Sequence, residues 1–163
     1  MLLVILSLAI LTVYTSYAVW VCGVPASLSS TYYLLKRRGC PYWLFQVAMV
    51  LTGCLLLPSW LDVSDNSFQF LAFLSCGALC FVGAAPMFRG GLDRGVHIMA
   101  TAVAGVSSLF WVITSGYWYL PLGLLSVSAV YGIYSRKPLF WVEMAAFAWT
   151  YLCVINEILK GGV

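Results

Sequence analysis

Residues 139–159 read LFWVEMAAFAWTYLCVINEIL, an apolar run of 21 residues with only two charged side chains. A hydrocarbon core about 30 Å thick is crossed by roughly 20 helical residues, each rising about 1.5 Å. The run is therefore long enough to cross a bilayer. The whole chain has the same character, since 63% of its 163 residues are hydrophobic and 8% are charged. A soluble domain carries charge on roughly a quarter of its residues, so the composition indicates an integral membrane protein.

Six apolar runs are separated by short charged or Pro/Gly-rich breaks. They predict an all-α fold, a bundle of about six transmembrane helices that forms a single integral membrane domain over residues 1–163. The predicted spans lie near residues 2–24, 43–60, 68–86, 96–114, 117–134 and 139–159. Prolines are expected at the helix edges, because proline lacks the amide donor that an interior turn needs. Spans four and five are joined by Ser115-Gly116 and are expected to form a tight hairpin.

Basic residues are unevenly distributed between the predicted loops. Seven of the eight Lys and Arg residues fall in loops one, three and five, and Lys160 is the exception. Because Lys and Arg accumulate in cytoplasmic loops, both termini are predicted to lie outside the cytoplasm. The first span could instead be a signal peptide cleaved near Ala18, but no basic residue precedes the run and the run continues beyond that point. Tryptophans near the span ends suit an interfacial aromatic belt: Trp20, Trp43, Trp60, Trp118 and Trp141.

Loop one is the longest, and its residues 27–39 predict a short helix on the inner membrane surface. Serines at its start can cap the helix, and Gly39 can close it. Leu28, Tyr32 and Leu35 share one face, which is expected to dip into the lipid boundary. The basic residues of its last turn are candidate lipid-headgroup contacts: Lys36, Arg37 and Arg38. A specific anionic-lipid site and ordinary positive-inside charge both fit these three residues.

Span six carries small and polar side chains at helical spacing. This stripe comprises Glu143, Ala146, Thr150, Cys153 and Glu157. A carboxylate inside a membrane helix is costly, so the stripe is predicted to face the bundle. Spans three and four carry small-residue rows that include Cys76 and Ala104, and small residues let membrane helices approach closely. Spans three, four and six are therefore predicted to contact one another.

One polar constellation could carry chemistry. His97 and Glu143 lie just inside the cytoplasmic ends of their spans, and Asp93 precedes His97 by one turn. Intramembrane ionisable groups often mark ion or substrate pathways. The candidate polar site comprises Glu143, His97, Asp93, Thr101 and Thr150. Alternatively, Glu143 extends to the headgroups or pairs with Arg136, and His97 sits at the interface.

Other chemistries find little support in the sequence. The chain has six cysteines and one histidine, with no CxxC motif, so packing cysteines are favoured over a metal site. No G-x-S-x-G motif stands near His97, and catalysis is not favoured. No cofactor is predicted. The net charge of +3 is not a nucleic-acid signal, because charge here is confined mainly to loops.

The segment PASLSSTYY at 25–33, followed by Gly83-Ala84-Ala85-Pro86 and Val96-His97, resembles short uncharacterised multi-pass proteins of gut bacteria and their phages. The resemblance covers most of the chain. It implies a bacterial inner membrane and no known activity.

Two hypotheses of function follow. In the first, the polar stripe binds or passes a small solute or a proton. In the second, the chain is a non-catalytic structural or accessory membrane protein that packs against lipid, a membrane partner or a second copy of itself. Water-filled space beside Glu143 would favour the first hypothesis, and a dry, fully packed interior would favour the second.

Overall fold

The computed structural model describes residues 1–84 and 92–161, with the backbone alone at residues 92–94. Within these residues the chain forms seven helices and no strand, so the all-α prediction is confirmed. The helices are α1 (Leu2–Cys22), α2 (Ser30–Arg37), α3 (Leu44–Asp62), α4 (Gln69–Ala84), α5 (Leu92–Thr114), α6 (Tyr119–Ser135) and α7 (Pro138–Gly161).

Length and hydropathy identify membrane helices among the described residues. Four helices are long and apolar enough to cross a bilayer, namely α1, α3, the Gly95–Thr114 part of α5, and α7. The chain is thus a helical membrane protein by these criteria. Helices α4 and α6 are apolar but have only 16 and 17 residues. Their crossing of the membrane, and hence a total of six spans, stays a prediction.

Five helices form a ring. In order around it, α1 packs on α3, α3 on α4, α4 on α5 and α5 on α7, and α7 meets α1. Helix α6 packs against α7, outside the ring. The prediction of a tight hairpin between spans four and five is wrong. The connecting turn is short and uses a positive φ of 86° at Gly116. After it α5 and α6 diverge, because α5 packs mainly against α4 whereas α6 packs against α7.

Glycines allow a close approach of helices α3 and α4. A Cβ atom on Gly53 would lie 3.0 Å from the Cys76 carbonyl oxygen, and one on Gly83 would lie 3.0 Å from Met49 Cβ. Cys76, in the small-residue row of span three, thus faces α3. Helix α5 packs against both α4 and α7, whereas α4 and α7 are not close neighbours. Spans three, four and six correspond to α4, α5 and α7. The predicted contact between spans three and six is therefore wrong, whereas span four contacts both of the others.

Helix α2 is held by protein contacts. Leu28, Tyr32 and Leu35 are 3%, 8% and 0% exposed, so the prediction that they dip into lipid is wrong. The physical reason is the packing of α2 against α1 and α3. The Tyr14 hydroxyl on α1 hydrogen-bonds the Thr31 hydroxyl, and the Tyr32 ring meets the Phe45 ring edge-on.

One proline departs from the prediction. Pro58 lies inside α3, close to its C-terminal end, and not at the helix edge. The loop of residues 85–91, with its predicted basic turn and Arg89, lies outside the described residues.

Candidate functional site

A cavity of about 370 Å³ lies between the helices of the ring. Side chains of α3, α4, α5 and α7 form most of its wall, and Leu28 and Ser29 from the turn before α2 contribute to it. Ala102 and Val106 of α5 line the cavity and are also exposed. The cavity therefore reaches the surface beside α5, where lipid surrounds a membrane-embedded bundle.

Glu143 is the one charged side chain in this wall among the described residues. It lies in the second turn of α7, which begins at Pro138, a residue suited to a first helical position. Its Oε2 atom accepts a 2.5 Å hydrogen bond from the backbone N–H of Leu28. This bond joins α7 to the turn that leads into α2, across 115 residues of sequence.

Thr101 and Thr150, the two threonines predicted for the polar site, share the cavity wall with Glu143. Each donates its hydroxyl proton to a carbonyl of its own helix. Thr101 donates to the His97 oxygen at 2.9 Å, and Thr150 donates to the Ala146 oxygen at 2.8 Å. Their remaining lone pairs can accept hydrogen bonds.

His97 and Asp93 are placed differently from these three residues. The His97 side chain is half-buried one turn before Thr101 and is not part of the cavity wall. Asp93 belongs to α5, but its side chain lies outside the described residues. The structure thus brings together Glu143, Thr101 and Thr150 of the five predicted site residues.

The two glutamates of the stripe have different partners. Glu157 Oε1 accepts hydrogen bonds from the Tyr117 hydroxyl at 2.7 Å and from Lys160 Nζ at 3.0 Å. That contact with Lys160 is the one ion pair within the described part of the chain. The structure therefore does not contain the alternative ion pair between Glu143 and Arg136. Arg136 instead ends α6 in a left-handed conformation with φ 55°.

Lys36 and Arg37 of α2, and Arg38 directly after it, are exposed. Arg38 donates a hydrogen bond to the Val21 carbonyl near the end of α1, and Lys36 Nζ lies 5.5 Å from the centre of the Tyr42 ring. Arg37 shares the last turn of the helix with Lys36. Their contact with lipid headgroups stays a prediction.

Sequence reasoning missed two groups in the wall. The Leu28 N–H is a backbone donor, which has no side-chain signature. Trp60 was expected in the interfacial belt, because it lies near a span end, but it is only 1% exposed. It lines the cavity and packs edge-on against Trp111 at 5.2 Å, and its buried Nε1 has no acceptor among the described residues.

The fold and the site define a helical membrane protein that contains a mainly apolar cavity, open at the surface, with a single carboxylate in the described wall. Comparison with known proteins finds no match to a protein-family model, a curated protein or a solved structure. In the described part of the chain, no group of three or more His, Cys, Asp and Glu side chains could hold a metal ion.

Proposed function

We propose that this protein binds a small, largely apolar molecule in the cavity, with Glu143 as its polar anchor. The observation that carries the proposal is a cavity of about 370 Å³ with a carboxylate in its wall. Pockets for small molecules measure about 300–1,000 Å³ and combine an apolar lining with a few polar groups. Tightly packed interiors, in contrast, leave few voids larger than a water molecule.

The route to the cavity is lateral in this proposal. Ala102 and Val106 lie both in the wall and on the surface, so an apolar molecule dissolved in the bilayer reaches the cavity beside α5. Thr101 and Thr150 offer hydroxyl acceptors near Glu143, and His97 and Asp93 belong to the part of α5 that leads towards the cytoplasmic surface.

The proposed setting is a bacterial inner membrane that all six apolar helices cross, with both termini outside the cytoplasm. Support comes from the basic loops and from alternating helix directions in the packing. Gly83 near the end of α4 meets Met49 near the start of α3, and Tyr117 after α5 meets Glu157 near the end of α7. The shorter α4 and α6 are accommodated by local bilayer thinning, and Lys36 and Arg37 face the headgroups.

Filling the cavity tests the proposal. Ala104 lines the wall, so Ala104→Leu places extra methyl groups in the cavity. Ala129 is exposed on α6, and Ala129→Leu is the matched lipid-facing control. Two radiolabelled probes, 1-methyl-4-phenylpyridinium and 4-methylbiphenyl, are titrated onto nanodisc-embedded protein, and uptake by empty nanodiscs is subtracted. We expect saturable binding of at least one probe, weakened about tenfold or more by Ala104→Leu, which is about 1.4 kcal/mol, and unchanged by Ala129→Leu.

A second candidate function is a non-catalytic accessory role, in which α6 packs against a membrane partner or a second copy. It is favoured by the position of α6 outside the ring, where Ile133 and Tyr134 are 79% and 89% exposed. Cross-linking of Ile133→Cys in native membranes tests it. Absence of saturable binding by either probe, together with a specific cross-link at position 133, would make this the better account.

A further inference from the structure

The hydrogen-bond donors in the cavity wall are largely engaged within the protein. Ser75 donates to the Ala104 oxygen, and Ser108 donates to the Gly105 oxygen, each at 2.9 Å. The two wall threonines likewise donate to carbonyls of their own helix. The indole N–H of Trp149 is directed to Ser108 Oγ at 3.3 Å. The Nε1 atom of Trp60 is itself buried, so the described wall offers its contents mainly acceptor oxygens.

The Glu143 carboxylate is the strongest of these acceptors. Its Oε2 atom accepts the neutral N–H of Leu28, and no cation within the described residues pairs with it. An ionised carboxylate in apolar surroundings is unfavourable unless it is paired with a cation or takes up a proton. No described residue donates a hydrogen bond to the second oxygen, Oε1, which can therefore accept one from a ligand.

The remainder of the wall suits the body of such a ligand. Phe45, Trp60, Phe147 and Trp149 line the cavity, together with aliphatic side chains. Aromatic faces attract cations within about 6 Å of the ring centre, most strongly where water is excluded. An anion, in contrast, would meet the Glu143 carboxylate with no described cation in the wall to offset the repulsion.

We infer that the cavity takes a small organic cation, an amine or quaternary ammonium on a flat apolar body, whose positive charge lies against Glu143. This inference rests on the proposed binding function and specifies the ligand class. The cation supplies a positive charge that no described residue brings to the carboxylate, and its apolar body fills the space between the ring helices.

Three probes of nearly the same shape test the inference. The cation is 1-methyl-4-phenylpyridinium, the neutral isostere is 4-methylbiphenyl, and the anion is 4-biphenylcarboxylate. Dissociation constants are measured on nanodisc-embedded protein and corrected for partition into empty nanodiscs. We expect the cation to bind at least tenfold more tightly than the neutral probe, and the anion to bind most weakly.

Variants on α7 assign the preference to one residue. Glu143→Gln keeps an oxygen for the Leu28 N–H but removes the charge, so the cation should lose its advantage while the neutral probe keeps its affinity within about twofold. Glu157→Gln is the matched control on the same helix and should leave the preference unchanged. If Glu143→Gln does not fold, Glu143→Asp withdraws the carboxylate by one methylene and should weaken the cation selectively.

Each outcome has a distinct meaning. Equal binding of cation and neutral probe by the parent protein would overturn the cation inference and leave the cavity-binding proposal in place. A cation preference that survives in Glu143→Gln would also overturn it, because the charge would then be recognised elsewhere. Absence of saturable binding by all three probes would contradict the proposed function itself.

Discussion

At the scale of single residues, Ser7 connects three helices. It is fully buried in α1, its hydroxyl donates to the Thr52 carbonyl on α3 at 2.8 Å, and it lies 2.6 Å from the Tyr151 hydroxyl on α7. Because Ser7 has one hydroxyl proton and gives it to Thr52, the Tyr151 hydroxyl must be the donor to Ser7. These two bonds join α1 to its neighbours where the ring closes.

Substitutions that remove one hydrogen-bonding group at a time measure how much these bonds contribute to the unfolding free energy. Tyr151→Phe removes one donor and leaves the Ser7–Thr52 bond, so we expect a loss of about 0.5–1.5 kcal/mol in unfolding free energy. Ser7→Ala leaves the buried Tyr151 hydroxyl without its acceptor and removes the side-chain bond to the Thr52 carbonyl, which keeps its partner within α3. It should cost about 1–3 kcal/mol. Ser126→Ala, on the exposed face of α6, is the control and should be nearly neutral. Chemical unfolding in mixed micelles reads out all three, and a Ser7→Ala variant as stable as the parent would exclude this role.

At the scale of helices, the α3–α4 contact depends on glycine. A Cβ on Gly83 would lie 3.1 Å from the Gln46 carbonyl oxygen as well as against Met49, and a backbone atom cannot turn aside as a side chain can. Gly77 lies on the same helix, and a Cβ there would meet no atom within 4 Å. Substitutions at these two glycines therefore distinguish the effect of close packing at position 83 from the general effect of glycine on helix stability.

The matched pair of substitutions gives opposite signs. We expect Gly83→Ala to lower the unfolding free energy by about 1–3 kcal/mol through overpacking. Gly77→Ala should leave it unchanged or raise it by up to about 1 kcal/mol, since alanine is the better helix former. Both are measured by thermal melting in one detergent. Equal effects of the two substitutions would show that the α3–α4 contact does not require glycine at position 83.

At the scale of the whole molecule, the orientation in the membrane can be tested with single cysteines. Asn66 lies between α3 and α4, Arg37 lies at the end of α2, and both side chains are exposed. With the native cysteines replaced, a membrane-impermeant maleimide should label Asn66→Cys in intact cells and label Arg37→Cys only after permeabilisation. The reason is the concentration of basic residues in the loops on the side of Arg37. Labelling of position 37 in intact cells would show that the protein has the opposite orientation in the membrane.

The helical pattern of the sequence predicted part of the site. Glu143 and Thr150 share a face of span six because they are two turns apart, and the penalty for a carboxylate in lipid turns that face inward. Thr101 was included through the small and polar row of span four, and it does line the same cavity. The Leu28 N–H was beyond reach, because pairing a backbone donor with a carboxylate 115 residues away depends on how three helices pack.

The sequence by itself determined the class of protein, the helices and most of their bounds. Apolar runs of membrane length, separated by polar breaks, leave the backbone no other way to satisfy its hydrogen bonds in lipid. Only the tertiary structure decided which helices became neighbours, because every apolar face is equally compatible with lipid and with another helix. Close contact of backbones at Gly53 and Gly83, and polar bonds such as Ser7–Tyr151, selected the ring and left the cavity beside Glu143.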